Sequence, residues 1–215
     1  MRRNYWQGQV DEFELVFLVR HGETEWNRQR RRQGQLDSAL TVEGLAGARR
    51  LGTVVASLPA DSVFSSPLGR AATTASFGAA QLGLSVTVVE DLAEIHHGEM
   101  AGLTSSEIDQ RFPGEMTRRA DNKYEWRFPG GESYADADRR ANAALLQIAS
   151  HGVQRPLIVS HEMIGRMLLR NLLQLDVADA LTWKHPHDLV YQVDIANRAV
   201  TPVGSSNRGP TLRAP

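Results

Sequence analysis

The sequence has no cysteine in its 215 residues. Disulfides, thiolate metal sites and cysteine nucleophiles are therefore excluded. Lysine is nearly missing too: Lys123 and Lys184 are the only two among 24 basic residues. A bias this uniform reads as a property of the whole chain, although arginine's planar fork suits bidentate phosphate contact. No run approaches the roughly 18 uninterrupted apolar residues of a membrane span. The first eight residues, MRRNYWQG, lack the apolar core of a signal peptide. The expectation is a cytoplasmic protein with no membrane partner. A net charge of −1 argues against a general polyanion binder, so no nucleic-acid partner is expected either. There is no P-loop, and Gly165 stands where a zinc helix beginning at His161-Glu162 would need its second histidine. His96-His97 and His185-Pro186-His187 lack a nearby carboxylate cluster and are read as surface or structural groups. No metal and no other cofactor is expected.

What the chain does contain is an alternation of apolar β-type runs with helical patterns. Leu15 to Arg20 (LVFLVR) reads as a strand buried on both faces. Leu40 to Leu58 has helical spacing, with Thr41 as N-cap and Glu43 in the first turn. Asp61 to Ser66 is a second strand, after which Ser66-Pro67 has the form of a cap and first helical position for a helix running to Leu82. Val86 to Val89 is a third strand. Thr104-Ser105-Ser106-Glu107 has the form of a capping box opening a short helix. The segment 112–132, rich in Pro, Gly, aromatics and charges, reads as a loop long enough to shape substrate choice. Ser133 to His151 is helical, Pro156 to Ser160 a fourth strand, and Glu162 to Leu175 an apolar helix. Leu189 to Ile195 and Arg198 to Val203 read as a closing hairpin. Residues 1–14 are expected to be a polar leader, 15–203 one domain, and 204–215 a disordered tail.

Strand–helix alternation implies an α/β three-layer sandwich, a mostly parallel central sheet with helices on both faces. Parallel strands place their carboxyl ends on one edge, where open α/β sheets bind ligands. Arg20-His21, Arg70, Glu94 and His161 each fall just past the end of one of the four strands. Two guanidinium forks and a histidine pair suit charge on phosphoryl oxygens. An imidazole can attack phosphorus, and a carboxylic acid can protonate the departing alkoxide.

These residues carry a resemblance. Arg20-His21-Gly22-Glu23-Thr24-Glu25-Trp26-Asn27, Gly34 to Gly44, Ser65 to Ala75, Leu92 to Leu103, Gly130 to Ser133 and Val159-Ser160-His161 together resemble the histidine phosphatase superfamily, with its phosphoglycerate-mutase-like fold. The resemblance implies a phosphatase in which His21 is the phosphorylated nucleophile. Arg20, Arg70 and His161 would hold the phosphoryl group and Glu94 would donate the proton. Asn27, Gln33, Gly34 and Glu162 would border the substrate, a small phosphorylated metabolite or a phosphoprotein. Assembly is open, a homodimer included. Two departures stand out. Glu162 occupies a position that is often glycine, so its carboxylate must be paired or turned away; its charge would also favour a protonated His161. Thr104-Ser105 stand where the mutase branch usually carries lysine, which favours a phosphatase over a phosphoglycerate mutase. Arg118-Arg119 remain as a second cationic site. A catalytically idle phospho-ligand binder is the rival from another class.

Overall fold

The computed structural model describes residues 12–204 and the backbone of 212–213. A sheet of seven strands runs through it in the order β3-β2-β4-β1-β5-β6-β7. β1 (Leu15–Arg20), β2 (Ser62–Ser65), β3 (Val86–Val88) and β4 (Pro156–Ser160) are parallel. β5 (Leu189–Asp194), β6 (Ala199–Gly204) and β7 (Leu212–Arg213) continue the sheet antiparallel from the other side of β1. The helices are α1 (Glu25–Arg28), α2 (Val42–Val55), α3 (Gly69–Leu82), α4 (Ser105–Arg111), α5 (Glu115–Asp121), α6 (Tyr134–Ala149), α7 (Glu162–Leu173) and α8 (Val177–Thr182). The expected α/β sandwich is what the chain forms.

The period-2 alternation of strands divides the core. Val16 and Leu18 of β1 and Ile158 of β4 join α6 and α7 residues such as Ala141, Leu145, Ile164 and Leu168 on one face. Phe17, Val19, Leu157 and Val159 point to the opposite face, onto Leu51 and Val55 of α2 and Ala71, Ala75 and Ala79 of α3. Both faces of β1 and β4 are therefore apolar, which is why these strands read as continuous hydrophobic runs.

Register then decides where the polar strand ends meet. Arg20 pairs with Ser160 across β1 and β4, and Ser65 with Val159 across β2 and β4. The three strands thus stop within a residue or so of one another, and whatever follows them is delivered to one edge.

The structure departs from the sequence expectations at four places. Residues 13 and 14 of the expected leader pack on the fold: Phe13 is buried in the core, and Glu14 donates its N–H to Gln154 O. Residues 1–11 of the expected leader lie outside the described residues. α3 begins at Gly69 with Leu68 as N-cap, so Ser66 caps nothing. The Ser66 hydroxyl instead accepts from the Leu68 N–H and meets His161. The segment 112–132 is no uninterrupted loop, since Glu115–Asp121 is helical behind Gly114, whose φ of 80° only glycine adopts without strain. Finally, Gly204 closes β6 and Leu212–Arg213 pair with Ala199–Val200, so those positions of the expected disordered tail are strand. Residues 205–211 and 214–215 lie outside the described residues.

Candidate active site

His21 follows the last residue of β1 and is buried, its backbone N–H donating to Ser160 O at 3.0 Å. Its Nδ1 is 2.8 Å from Gly22 O, a contact only an N–H can make favourably. The proton is thereby placed on Nδ1, and Nε2 keeps its lone pair. Gly22 N donates to Thr74 Oγ1 of α3, fixing the turn after the strand. The turn also packs closely against α2: a Cβ on Gly44 would lie 2.0 Å from Glu23 O. Burial, aided by the Arg70 and Arg20 charges, pushes the His21 pKa well below the ordinary histidine value. The imidazole is neutral at pH 7.

His161, N-cap of α7, brings its ring to 5.1 Å from that of His21. Its Nε2 meets Ser66 Oγ at 2.7 Å, and its Nδ1 is buried without a partner. Burial and the Arg70 charge push its pKa well down. The expectation that Glu162 would favour protonated His161 is thus corrected: the Glu162 carboxylate is turned onto Arg20, 2.8 Å away, and Arg166.

Arg70, in the first turn of α3, is held through both terminal nitrogens. Nη1 donates to Leu36 O and Asp37 Oδ1, and Nη2 to Gly34 O at 2.7 Å, while Nε is buried and unpartnered. Gly34 supplies that carbonyl from a left-handed turn (φ 55°), and a Cβ there would come within 3 Å of His97. Arg20 has a similar open edge, with Nε buried and unpartnered while Nη1 donates to His185 O.

Glu94 lies beyond β3, after a 3-10 turn at Glu90–Leu92. Its Oε1 accepts N–H bonds from Ile95 and Ile164 and its Oε2 one from Met163, so the carboxylate docks on the first turn of α7. Oε2, with one partner, keeps capacity for a further proton or hydrogen bond. Behind it stands Arg140 of α6, which donates to the carbonyls of Asp91, Ala93 and Glu94 and forms a bidentate pair with Glu132. One guanidinium thus fixes the whole loop that carries the acid.

The structure accordingly brings Arg20, His21, Arg70, Glu94, His161 and Glu162 together, and the charges of Arg20 and Arg70 each feel that of Glu94. Two positions sit at the margin. Asn27 turns Oδ1 onto Thr24 N and Oγ1 in a capping box, leaving Nδ2 for another partner. Gln33 has a buried side chain whose Oε1 has no partner, an acceptor waiting for a donor.

Several groups escaped the sequence reading. His187 is not a remote surface group: its ring lies 5.3 Å from that of His21 and its Nδ1 bonds the His21 carbonyl. Ser66 and Thr74 were visible only as helix-forming residues. Arg140 carried no signal, being one arginine in an amphipathic helix. Of Arg118-Arg119, only Arg119 lies toward the interior, its guanidinium 6.0 Å from the ring centroids of both Trp126 and Phe128. Arg118 is exposed and pairs with Glu115. His97, expected at the surface or in a structural role, is buried and stacked on Phe128, and burial lowers its pKa to about 3. Among the described residues, no group of three or more His, Asp or Glu side chains could hold a metal ion. No described helix is long and apolar enough to cross a membrane.

The sequence and fold have known relatives. A probable phosphoglycerate mutase GpmB of Salmonella paratyphi C is 35% identical over 161 residues, covering 74% of this chain and 75% of that protein. The structure of a mycobacterial glucosyl-3-phosphoglycerate phosphatase superposes with a TM-score of 0.76 at 28% identity, covering 83% of this chain and 90% of that one. A putative alpha-ribazole-5'-P phosphatase of Escherichia coli shares the fold, with a TM-score of 0.79 at 20% identity over 92% and 99% of the two chains. The family model for the histidine phosphatase superfamily, branch 1, matches residues 16–207. By its sequence and fold, the chain belongs to the histidine phosphatase superfamily.

Proposed function

We propose that the protein is a metal-independent phosphomonoester hydrolase working through a phosphohistidine at His21, with Glu94 as general acid and base. The observation that carries this reading is the state of His21: neutral, proton on Nδ1, Nε2 free, and flanked by two arginines with open guanidinium edges. In the first half-reaction the Nε2 lone pair attacks phosphorus and the P–O ester bond breaks. The departing alkoxide takes the proton of the Glu94 carboxyl group. In the second, Glu94 takes a proton from water, whose oxygen attacks phosphorus. The P–N bond then breaks, its electron pair returns to the imidazole, and orthophosphate is released. Arg20, Arg70 and His161 stabilise charge on the equatorial oxygens, the task a metal performs in other phosphoryl-transfer sites. Asn27 Nδ2 and the Gln33-Gly34 turn border the ester. That structures of the mycobacterial relative are complexes with VO3 and with inorganic phosphate supports an anionic, phosphate-like ligand.

The substrate is proposed to be a small cytoplasmic phosphorylated metabolite. Phosphoglycerate mutase is the second reading, favoured by the name of the GpmB relatives and by the unpaired cations Arg32 and Arg119. Against it, Thr104 is occupied as the cap of α4 and supplies no cation. Acid-labile label from a phosphate ester, mapped by mass spectrometry, tests the mechanism: it should sit on His21. Label elsewhere, or full turnover by His21→Ala, overturns it. Interconversion of phosphoglycerate isomers faster than phosphate release would select the mutase.

A further inference from the structure

Glu162 is the first residue of α7, directly after His161. Its two carboxylate oxygens serve two different arginines. Oε2 lies 2.8 Å from Arg20 Nη1, and Oε1 accepts from Arg166 Nη2 at 2.7 Å. Arg166 is itself fixed, donating to Trp183 O and to Tyr134 Oη, each at 2.6 Å. The carboxylate is therefore held from behind and cannot leave Arg20 without straining a second ion pair.

On Arg20 both protein contacts fall on one nitrogen. Nη1 meets Glu162 and also donates to His185 O at 3.0 Å. Nε is buried without a partner, and Nη2 makes no hydrogen bond among the described residues. A guanidinium carries its five N–H groups in one plane, so pinning Nη1 sets the direction of the remaining Nε–Nη2 edge. That is an edge able to chelate two oxygens of one phosphoryl group. Burial disfavours the charge on Arg20, and Glu162 is the largest opposing influence.

We propose that Glu162 is a positioning residue: it anchors Arg20 through Nη1 so that the Nε–Nη2 edge is presented, already oriented, to the phosphoryl group at His21. The inference rests on the reading of His21 as phosphoryl acceptor. The blander account is an acidic residue in a first helical turn with an i,i+4 partner, a modest support to the helix. It explains the Arg166 contact and leaves the Arg20 contact without a purpose.

A double-mutant cycle with p-nitrophenyl phosphate separates the two. Glu162→Ala should lower kcat/KM on the order of 10- to 100-fold, the scale of a misplaced catalytic group. Glu162→Gln, which keeps an oxygen for Nη1, should recover most of that loss. In an Arg20→Ala background the same Glu162→Ala change should cost less than about twofold, since there is no guanidinium left to orient. Equal losses in both backgrounds, or an unaltered kcat/KM in Glu162→Ala, overturn the proposal. Thermal melts report folding; should Glu162→Ala fail to fold, Glu162→Met, which fills similar space without an acceptor oxygen, carries the same cycle. His21→Ala run beside them keeps the two failures apart. Turnover surviving in His21→Ala sinks the proposed function, whereas His21-dependent turnover with additive losses sinks only the role of Glu162.

Discussion

The arginines around the acid and the nucleophile are held in the opposite way to Arg32 and Arg119, which meet at segment 112–132. Arg20, Arg70 and Arg140 each donate to main-chain carbonyls and each pair with a carboxylate. Arg32 rests its Nη2 against the Met116 sulfur at 3.6 Å with a buried, unpartnered Nε, and Arg119 lies over the rings of Trp126 and Phe128. Among the described residues neither has a carboxylate within ion-pair distance, and the Arg119 charge works with burial to lower the Arg32 pKa. Anchored forks suit a group whose geometry never varies, such as a phosphoryl group. Unpaired cations on a sulfur and aromatic wall suit a part that differs between substrates. On the proposed function, one region performs the reaction and the other selects what enters it.

The largest expected effect falls on the anchored side. His21→Ala should reduce turnover by roughly 10⁴- to 10⁶-fold, as loss of a nucleophile does elsewhere, with no phosphoenzyme in rapid-quench experiments. Glu94→Gln should follow at about 10²- to 10⁴-fold on alkyl phosphates and much less on p-nitrophenyl phosphate, whose leaving group needs little protonation. Equal losses on both esters would remove Glu94 from the acid role.

Arg140→Met leaves Glu132 half-stranded and unties three carbonyls of the loop bearing Glu94. A stability loss of about 3 kcal/mol is expected by denaturant titration, together with a lower kcat. A stable variant with unchanged kcat would show that the loop holds itself. Arg119→Ala probes the other region. The KM of a phosphomonoester with a second anionic group should rise roughly tenfold, and that of p-nitrophenyl phosphate less, because one desolvated charge contact is worth about 1–2 kcal/mol. Uniform effects across substrates would erase the distinction between the two regions.

The last effect is on pH and is spread over five histidines. His21, His97, His161, His185 and His187 all have pKa values below the ordinary histidine value, with burial the main cause. The unfolded chain therefore binds protons that the native state refuses once pH falls below about 6.5. Stability contributed by these groups is complete above that pH and lost on the way down to their folded values, which for His97 and His185 are about 3. Each histidine adds at most about 1.4 kcal/mol per pH unit to the slope. Denaturation midpoints measured from pH 7.5 to 4.5 should fall steadily; a flat profile would mean that the imidazoles are hydrated.

Where local chemistry decided the structure, the sequence was legible. Thr41 and Thr104 cap the helices they precede, Gly83 ends α3 in the left-handed conformation, and the apolar runs of β1 and β4 are buried on both faces. Cap signals misled where the chain needed more room, as at Ser66, whose hydroxyl serves His161 instead. The helix α5 was hidden because prolines and glycines flank it closely and its seven residues show no clear apolar stripe.

By itself, then, the sequence determined the strand–helix alternation and, through it, the edge to which Arg20-His21, Arg70, Glu94 and His161 are delivered. Periodicity and parallel topology are local and repetitive properties, and they survive translation into space. Only the tertiary structure decided which side chains hold those groups in place. Arg140 behind the acid loop, Glu162 on Arg20, His187 beside His21 and Arg32 on Met116 are contacts across tens of residues. They depend on the direction of a side chain and on what stands opposite it, and neither is written in the spacing of residues along a chain.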